Sequence, residues 1–402
     1  MSGRTIQNRL FDIAWIVFCI SQLVTLTAWY ALDGSSFKVT AYKGAFAVTC
    51  VLCAAVIIIN LVRKVYPLKT FICYILFAAV SVVSWYFCRN TLMLVMALLF
   101  MAAYEISARR VITISMAITG AVIFVTCIMA ELGLTENYVF NLASHRPRYG
   151  IGFSWATNGP TLLFFFMIQY IFLRKAKMKI WEYLVIEAVN VYMYIRTDTN
   201  LPFILMTAIL IFFAVQGLFR NHWRALRHLK WLYYLAPLII CVLSICLYIV
   251  IDLRSKAWVY TWFDINNLLN NRLLYGRMGY MDNGITLFGQ QIDWVGETIT
   301  GMTGSYNYVD CSYLRILLDQ GLIYTIFSVG VYTRLIVRAV KKTDYWLVFI
   351  ALAVLFHSFT EPRLMDLTFN VIPMLAFLGI GEEPVLYEKG MLKKIFAAEE
   401  NP

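Results

Sequence analysis

Charge is what this chain has least of. Only 14% of its 402 residues are Asp, Glu, Lys or Arg, while 61% are hydrophobic and the mean hydropathy is +0.71. A soluble domain carries about 25% charged residues, so a soluble globular protein is excluded and a polytopic membrane protein is expected. Histidine is scarce too, with four in all. No HxxxH, HExxH or outward-facing DxD spacing is present, so no metal site is legible. The nine cysteines form no framework. Cys19, Cys50, Cys53, Cys73, Cys127, Cys241 and Cys246 lie in apolar runs, and Cys50-Val-Leu-Cys53 has no second ligand pair, so it reads as packing. The net charge of +11 comes with no stripe of Lys and Arg interleaved with aromatics, which excludes nucleic acid. Residues 1–10 are short and polar and no small-residue cleavage site ends the first apolar run, so no cleavable signal is read.

What is abundant is long apolar sequence. About twelve runs approach the ~20 residues that a helical span needs: 12–31, 44–62, 68–87, 91–107, 111–131, 155–173, 180–195, 201–219, 231–251, 313–336, 345–359 and 367–380. The whole chain, 1–402, reads as a single all-α integral membrane domain, with a long extracytoplasmic loop at 252–312. Basic residues orient it. With the N-terminus inside, the cytoplasmic connections include Arg63, Lys64 and Lys69; Arg109 and Arg110; Arg174 and Lys175; and Arg334, Arg338 and Lys341. These connections hold most of the basic residues, as cytoplasmic loops do. Both termini are then cytoplasmic, and Trp29-Tyr30 and Trp85-Tyr86 fall at outer span ends. Within the long loop, 263–274 places Ile265, Leu268, Leu269 and Leu273 on one helical face, an amphipathic helix over the membrane or a cavity.

Against that frame several arginines stand on the wrong side: Arg146, Arg148, Arg196, Arg272, Arg277 and Arg363. Headgroup contact and snorkelling are the plain alternatives; an anion site is the functional one. Arginine suits phosphate because its planar fork is always charged and pairs bidentately. Asn200 is a candidate N-cap, with Pro202 in the first turn. Glu187 lies mid-span on one face with Tyr183, Asn190 and Tyr194, either as a functional carboxylate or as hydrogen-bonding glue between helices. Asp310 enters the tenth span, and His357, Glu361 and Arg363 fall together in the last outer connection. Such groups can serve in acid–base chemistry.

Four stretches carry a resemblance. Arg148-Tyr-Gly-Ile-Gly-Phe153, Thr197-Asp-Thr-Asn-Leu-Pro-Phe203, Gly276-Arg277 with Gly284-Ile-Thr-Leu-Phe-Gly-Gln290, and Asp310-Cys-Ser-Tyr-Leu … Leu-Asp-Gln-Gly321 occur in this order. The chain resembles the Wzy-type capsular polysaccharide polymerases of bacteria, relatives of the O-antigen ligases. Asn200 stands where that family usually has arginine, with Arg196 one turn earlier. The resemblance implies a GT-C-like fold and a metal-independent glycosyltransferase in the bacterial cytoplasmic membrane. Its substrates would be oligosaccharides on undecaprenyl pyrophosphate, joined at the outer leaflet without a cofactor. A flippase and a chain-length regulator of the same pathway are the implied partners, besides membrane lipid. Developing charge on the departing pyrophosphate needs preorganised cations, and Arg148, Arg196 and Arg277 are the candidates. Arg146, Asn200, Arg272 and Arg363 are candidates for substrate binding. Asp310 and Glu361, then His357, are candidates for handling the acceptor hydroxyl proton. An O-antigen-type ligase, a flippase and a transporter remain alternatives.

Overall fold

The computed structural model describes residues 3–33, 35–140, 147–218, 229–250, 256–296 and 306–378. Arg146 lies outside them. The N-terminal half holds α1 (Gly3–Val24), α2 (Ala28–Leu32), α3 (Ser36–Val62), α4 (Leu68–Cys88), α5 (Leu92–Ala102) and α6 (Ala108–Glu131). The first expected span starts earlier than read and breaks before its end. The hydroxyls of Thr25 and Thr27 donate back to the carbonyls of Gln22 and Val24 at 2.6 and 2.8 Å, and Thr27 then caps α2 by accepting from the Tyr30 amide. A two-residue hairpin follows, β1 (Val139–Phe140) with β2 (Arg148–Tyr149), antiparallel. Then come α7 (Asn158–Arg174), α8 (Ile180–Thr197), α9 (Asn200–Leu218), α10 (Lys230–Ile249), α11 (Lys256–Leu268), α12 (Arg272–Asn283), α13 (Ser312–Asp319), α14 (Gly321–Lys341) and α15 (Tyr345–His357).

Six of these helices, α3, α4, α6, α9, α10 and α14, are long and apolar enough to cross a membrane, and α5 and α15 are shorter apolar helices. The chain is thus an all-α protein of membrane character. Half of the α14 window is buried inside the protein, against a third or less for the other five. α14 is therefore the axis on which the C-terminal half packs, with α10, α13 and α15 against it. Polar contacts join some of the connections: Arg63 reaches Gln7 and Glu105, and Lys175 reaches Asp344. Glu187 is glue. It accepts from Thr207 and Asn190 at 2.7 and 3.2 Å, tying α8 to α9.

Two expected spans take a different form. The run 313–336 is a hairpin rather than one helix. α13 climbs eight residues, Gly321 turns the chain with a φ of +86°, and α14 runs back. The physical cause is backbone contact. Gly321 and Gly289 approach so closely that a Cβ on Gly321 would lie 2.3 Å from the Gly289 nitrogen. The amides of Gln290, Leu322 and Ile323 complete the clasp, donating to the carbonyls of Asp319, Thr286 and Leu287. The run 367–380 is not an α-helix where described. It is a series of turns ending in a short 3-10 helix, Ile372–Ala376. Nearly all of its side chains are buried. Irregular backbone at membrane depth survives only where protein covers it, and here the side chains of α14 supply the bonds. Tyr332 Oη donates to the Leu364 carbonyl, and Arg334 and Arg338 both donate to that of Ala376.

Candidate active site

These two departures set the depth of the site. α15 rises 13 residues, roughly 20 Å, from its turn with α14, whereas α14 is 21 residues, roughly 31 Å, long. The end of α15 therefore stops about 10 Å short of the Gly321 end of α14. Ser312, at the start of α13, sits at the same level, since its amide donates to the Ser358 carbonyl at 2.9 Å. The stretch 357–363, expected in an outer connection, is recessed inside the bundle.

Asparagines place Arg272 above this floor. Asn270 and Asn271 take left-handed φ values of 52° and 63°, which asparagine tolerates better than most side chains. They end α11 and start α12. Buried Asn266 locks the turn by donating to Asn271 Oδ1 at 2.8 Å and accepting from the Leu274 amide at 2.9 Å. The expected helix 263–274 is consequently broken, and Leu268 is exposed while Leu269 and Leu273 are buried. α12 lies close because Gly276 has no side chain: a Cβ there would meet the Tyr248 ring at 2.3 Å.

Arg272 then bridges two carboxylates from separate segments. Its Nε is 3.3 Å from Asp310 Oδ2, and its Nη1 and Nη2 are both 3.2 Å from Glu361 Oε1. Nη1 also donates to the Thr360 carbonyl. The Arg272 side chain is 14% exposed and that of Glu361 5%. Burial pushes the Glu361 carboxyl above its usual range; Asp310 adds to the shift and Arg272 opposes it. For Arg272 burial works against the charge, but Asp310 and Glu361 together outweigh it and hold the guanidinium protonated.

The backbone behind Glu361 is fixed. Ser312 Oγ donates to the Glu361 carbonyl at 2.6 Å and accepts from the Leu364 amide at 3.0 Å. Asn370 donates to the carbonyls of Arg363 and Leu364 and to Tyr332 Oη. Arg363 pairs with Asp366 at 2.9 Å and lies 4.1 Å over the Phe369 ring. Aromatics rim the site. Tyr275 packs on Tyr306 at 4.7 Å, and Arg315 lies over Tyr308 and Trp294 at 4.3 and 5.4 Å.

Of the residues singled out in the sequence, Arg272, Asp310 and Glu361 are brought into contact, and Arg363 lies two residues from Glu361. His357 sits beneath them, buried and stacked on Phe164 at 3.9 Å, with no described partner for either ring nitrogen. Arg148 and Arg196 share a different corner. Arg148 Nε donates to the Thr197 carbonyl at 3.1 Å. Arg196 pairs with Glu131 at 2.8 Å and lies over Tyr149 at 4.7 Å. Arg277 is on α12, half-buried, with Arg272. Asn200 is exposed and is the first residue of α9 rather than its cap, because Asp198 ends α8 in the left-handed region, φ 51°. Ser312, Asn370 and Asn266 were missed. Asn370 had a signal, a lone amide in an apolar run; Asn266 had none. Comparison with protein-family models, with curated proteins and with solved structures finds no match for the chain.

Proposed function

We propose that the protein is a Wzy-type polysaccharide polymerase with a GT-C-like arrangement of about twelve membrane segments. It transfers a growing glycan from undecaprenyl pyrophosphate to a lipid-linked repeat unit at the outer leaflet of a bacterial cytoplasmic membrane, without a metal. The observation that carries the reading is the buried Arg272 held between Asp310 and Glu361 at the foot of the long loop. Glu361, with its raised pKa, takes the proton of the acceptor hydroxyl as that oxygen attacks the anomeric carbon. Asp310 and Arg272 hold it in position. The tyrosines and Trp294 of the rim offer flat apolar faces and hydroxyls to saccharide. Arg277 and Arg363, on the side of the Arg272 cluster, are assigned to the departing pyrophosphate, where charge accumulates in the transition state, and Arg148 and Arg196, at their own corner beside the polyprenyl cavity, to the pyrophosphate of a lipid-linked unit held there. A cavity of about 410 Å³ between α6, α7 and α8, bounded by Phe124, Leu163 and Val189 and closed by Glu131 and Tyr192, would take a polyprenyl tail next to Arg196.

The test is purified protein in liposomes with lipid-linked repeat units. Wild type yields a polymer ladder, Glu361→Gln yields none, and Arg277→Ala shortens or abolishes it. A normal ladder from Arg277→Ala would remove Arg277 from the pyrophosphate role, and one from Glu361→Gln would sink the assignment of the base. A second reading, a transporter or flippase of the lipid-linked oligosaccharide, is favoured by the polar break recessed within the bundle, as broken helices mark transport sites. Leaflet exchange without polymer in the same liposomes would select it, and transfer to a different acceptor would select a ligase.

A further inference from the structure

A second cavity lies at the other end of α14. It has a volume of about 830 Å³ and runs between α4, α10 and α14. Its aliphatic wall includes Leu235, Leu238, Ile326 and Val329. Leu235 and Ile326 are exposed at their outer edges, so the groove opens sideways from the bundle. Its lower end is cationic. Arg334, Arg338 and Lys341 all line it, and their spacing of four and three puts them on one helical face. Among the described residues no carboxylate pairs with any of the three. Arg334 and Arg338 each give one described hydrogen bond, both to the Ala376 carbonyl, at 3.0 and 2.7 Å. A guanidinium has five N–H donors, so most of this donor capacity has no partner among the described residues.

From Ile326 to Lys341 the groove extends along α14 for 15 residues, roughly 22 Å. One leaflet contributes about 15 Å of hydrocarbon to the ~30 Å core. The apolar part thus matches an acyl region and the cationic part a headgroup. The loop after Lys341 is among the basic connections that charge assigns to the cytoplasm. We propose that this groove is a site for an anionic phospholipid of the inner leaflet, acyl chain along the aliphatic wall from Ile326 toward Gly330 and phosphate against Arg334, Arg338 and Lys341. Basic pockets between helices at that level suit such headgroups. The site stands apart from the Arg272 cluster and does not depend on the polymerase reading.

Native mass spectrometry of the delipidated full chain, with phosphatidylglycerol or phosphatidylcholine added back, tests it. Phosphatidylglycerol should be retained in preference. Lys341→Gln, at an exposed position without a described contact, should weaken that retention about fivefold, the weight of one cation near an anionic surface. Arg109→Gln, a cation assigned to the same membrane face but outside the groove, should leave it unchanged. Gly330→Phe should block it, because a Cβ on Gly330 meets nothing within 4 Å and the ring enters the groove. Equal retention of the two lipids overturns the proposal, as does an Arg109→Gln loss matching that of Lys341→Gln. Lys341→Gln decides the matter alone if Gly330→Phe fails to fold. Displacement of the lipid by millimolar inorganic phosphate would show an anion site without a lipid and would also overturn it.

Discussion

Arg272 faces two carboxylates at 3.3 and 3.2 Å in a largely buried setting. Removing the cation leaves both acids without compensation, which in buried sites costs about 3 kcal/mol or more. Arg272→Ala should therefore lower the melting temperature clearly, and a melting curve unchanged from wild type would contradict this role. The same geometry fixes the sign of two titrations. Asp310 raises the Glu361 carboxyl and Arg272 lowers it. In Asp310→Asn the infrared band of the protonated Glu361 carboxyl should disappear at lower pH than in wild type; in Arg272→Gln it should persist to higher pH. Shifts of the same sign in both variants would show that the coupling is misassigned. These three residues were each conspicuous in the sequence, but their partnership was not. The segments that carry Arg272, Asp310 and Glu361 are far apart in the chain; Ser312 ties the Asp310 segment to that of Glu361, and the packing of α12 on Tyr248 sets Arg272 against both.

The hairpin of α13 and α14 gives the stretch 284–290 its meaning. Sequence alone offered Gly284-Ile-Thr-Leu-Phe-Gly-Gln290 as a motif of the long loop. Its role is mechanical: Gly289 and Gly321, at φ +104° and +86°, let two backbones lie in contact. An alanine at either position meets both a strained φ and backbone atoms within 2.5 Å. Gly321→Ala should thus release the loop from the hairpin, and protease cleavage within 284–296 should accelerate several-fold relative to wild type. Unchanged cleavage would show that the clasp does not hold the loop. The hairpin itself was hidden because hydropathy registers apolar content, not direction. Residues 313–336 are apolar on both sides of Gln320-Gly321, so a reversal of the chain reads as one continuous span. The run 367–380 misled in a related way: its described part, 367–378, is apolar because protein surrounds it rather than because it faces lipid.

Two cavities among the described residues, at opposite ends and of different character, carry the proposals for bound hydrocarbon chains. The groove between α6, α7 and α8 ends near Arg196, which Glu131 already pairs, while the groove on α14 ends in cations that no described carboxylate neutralises. On the polymerase reading the first takes the polyprenyl tail. A photoreactive polyprenyl pyrophosphate should label peptides of α6 and α8, and Val189→Trp, which fills the groove, should suppress that labelling. Labelling that survives the tryptophan would place the tail elsewhere. At this scale the sequence by itself determined the membrane character and the helical content. These follow from composition and local periodicity, since a helix satisfies its own backbone within one segment. Only the tertiary structure decided which arginine is central, how deep the site lies and where helices stop short. Those depend on contacts between residues distant in the chain, above all on close backbone approaches at Gly276, Gly289 and Gly321, which leave no trace in hydropathy.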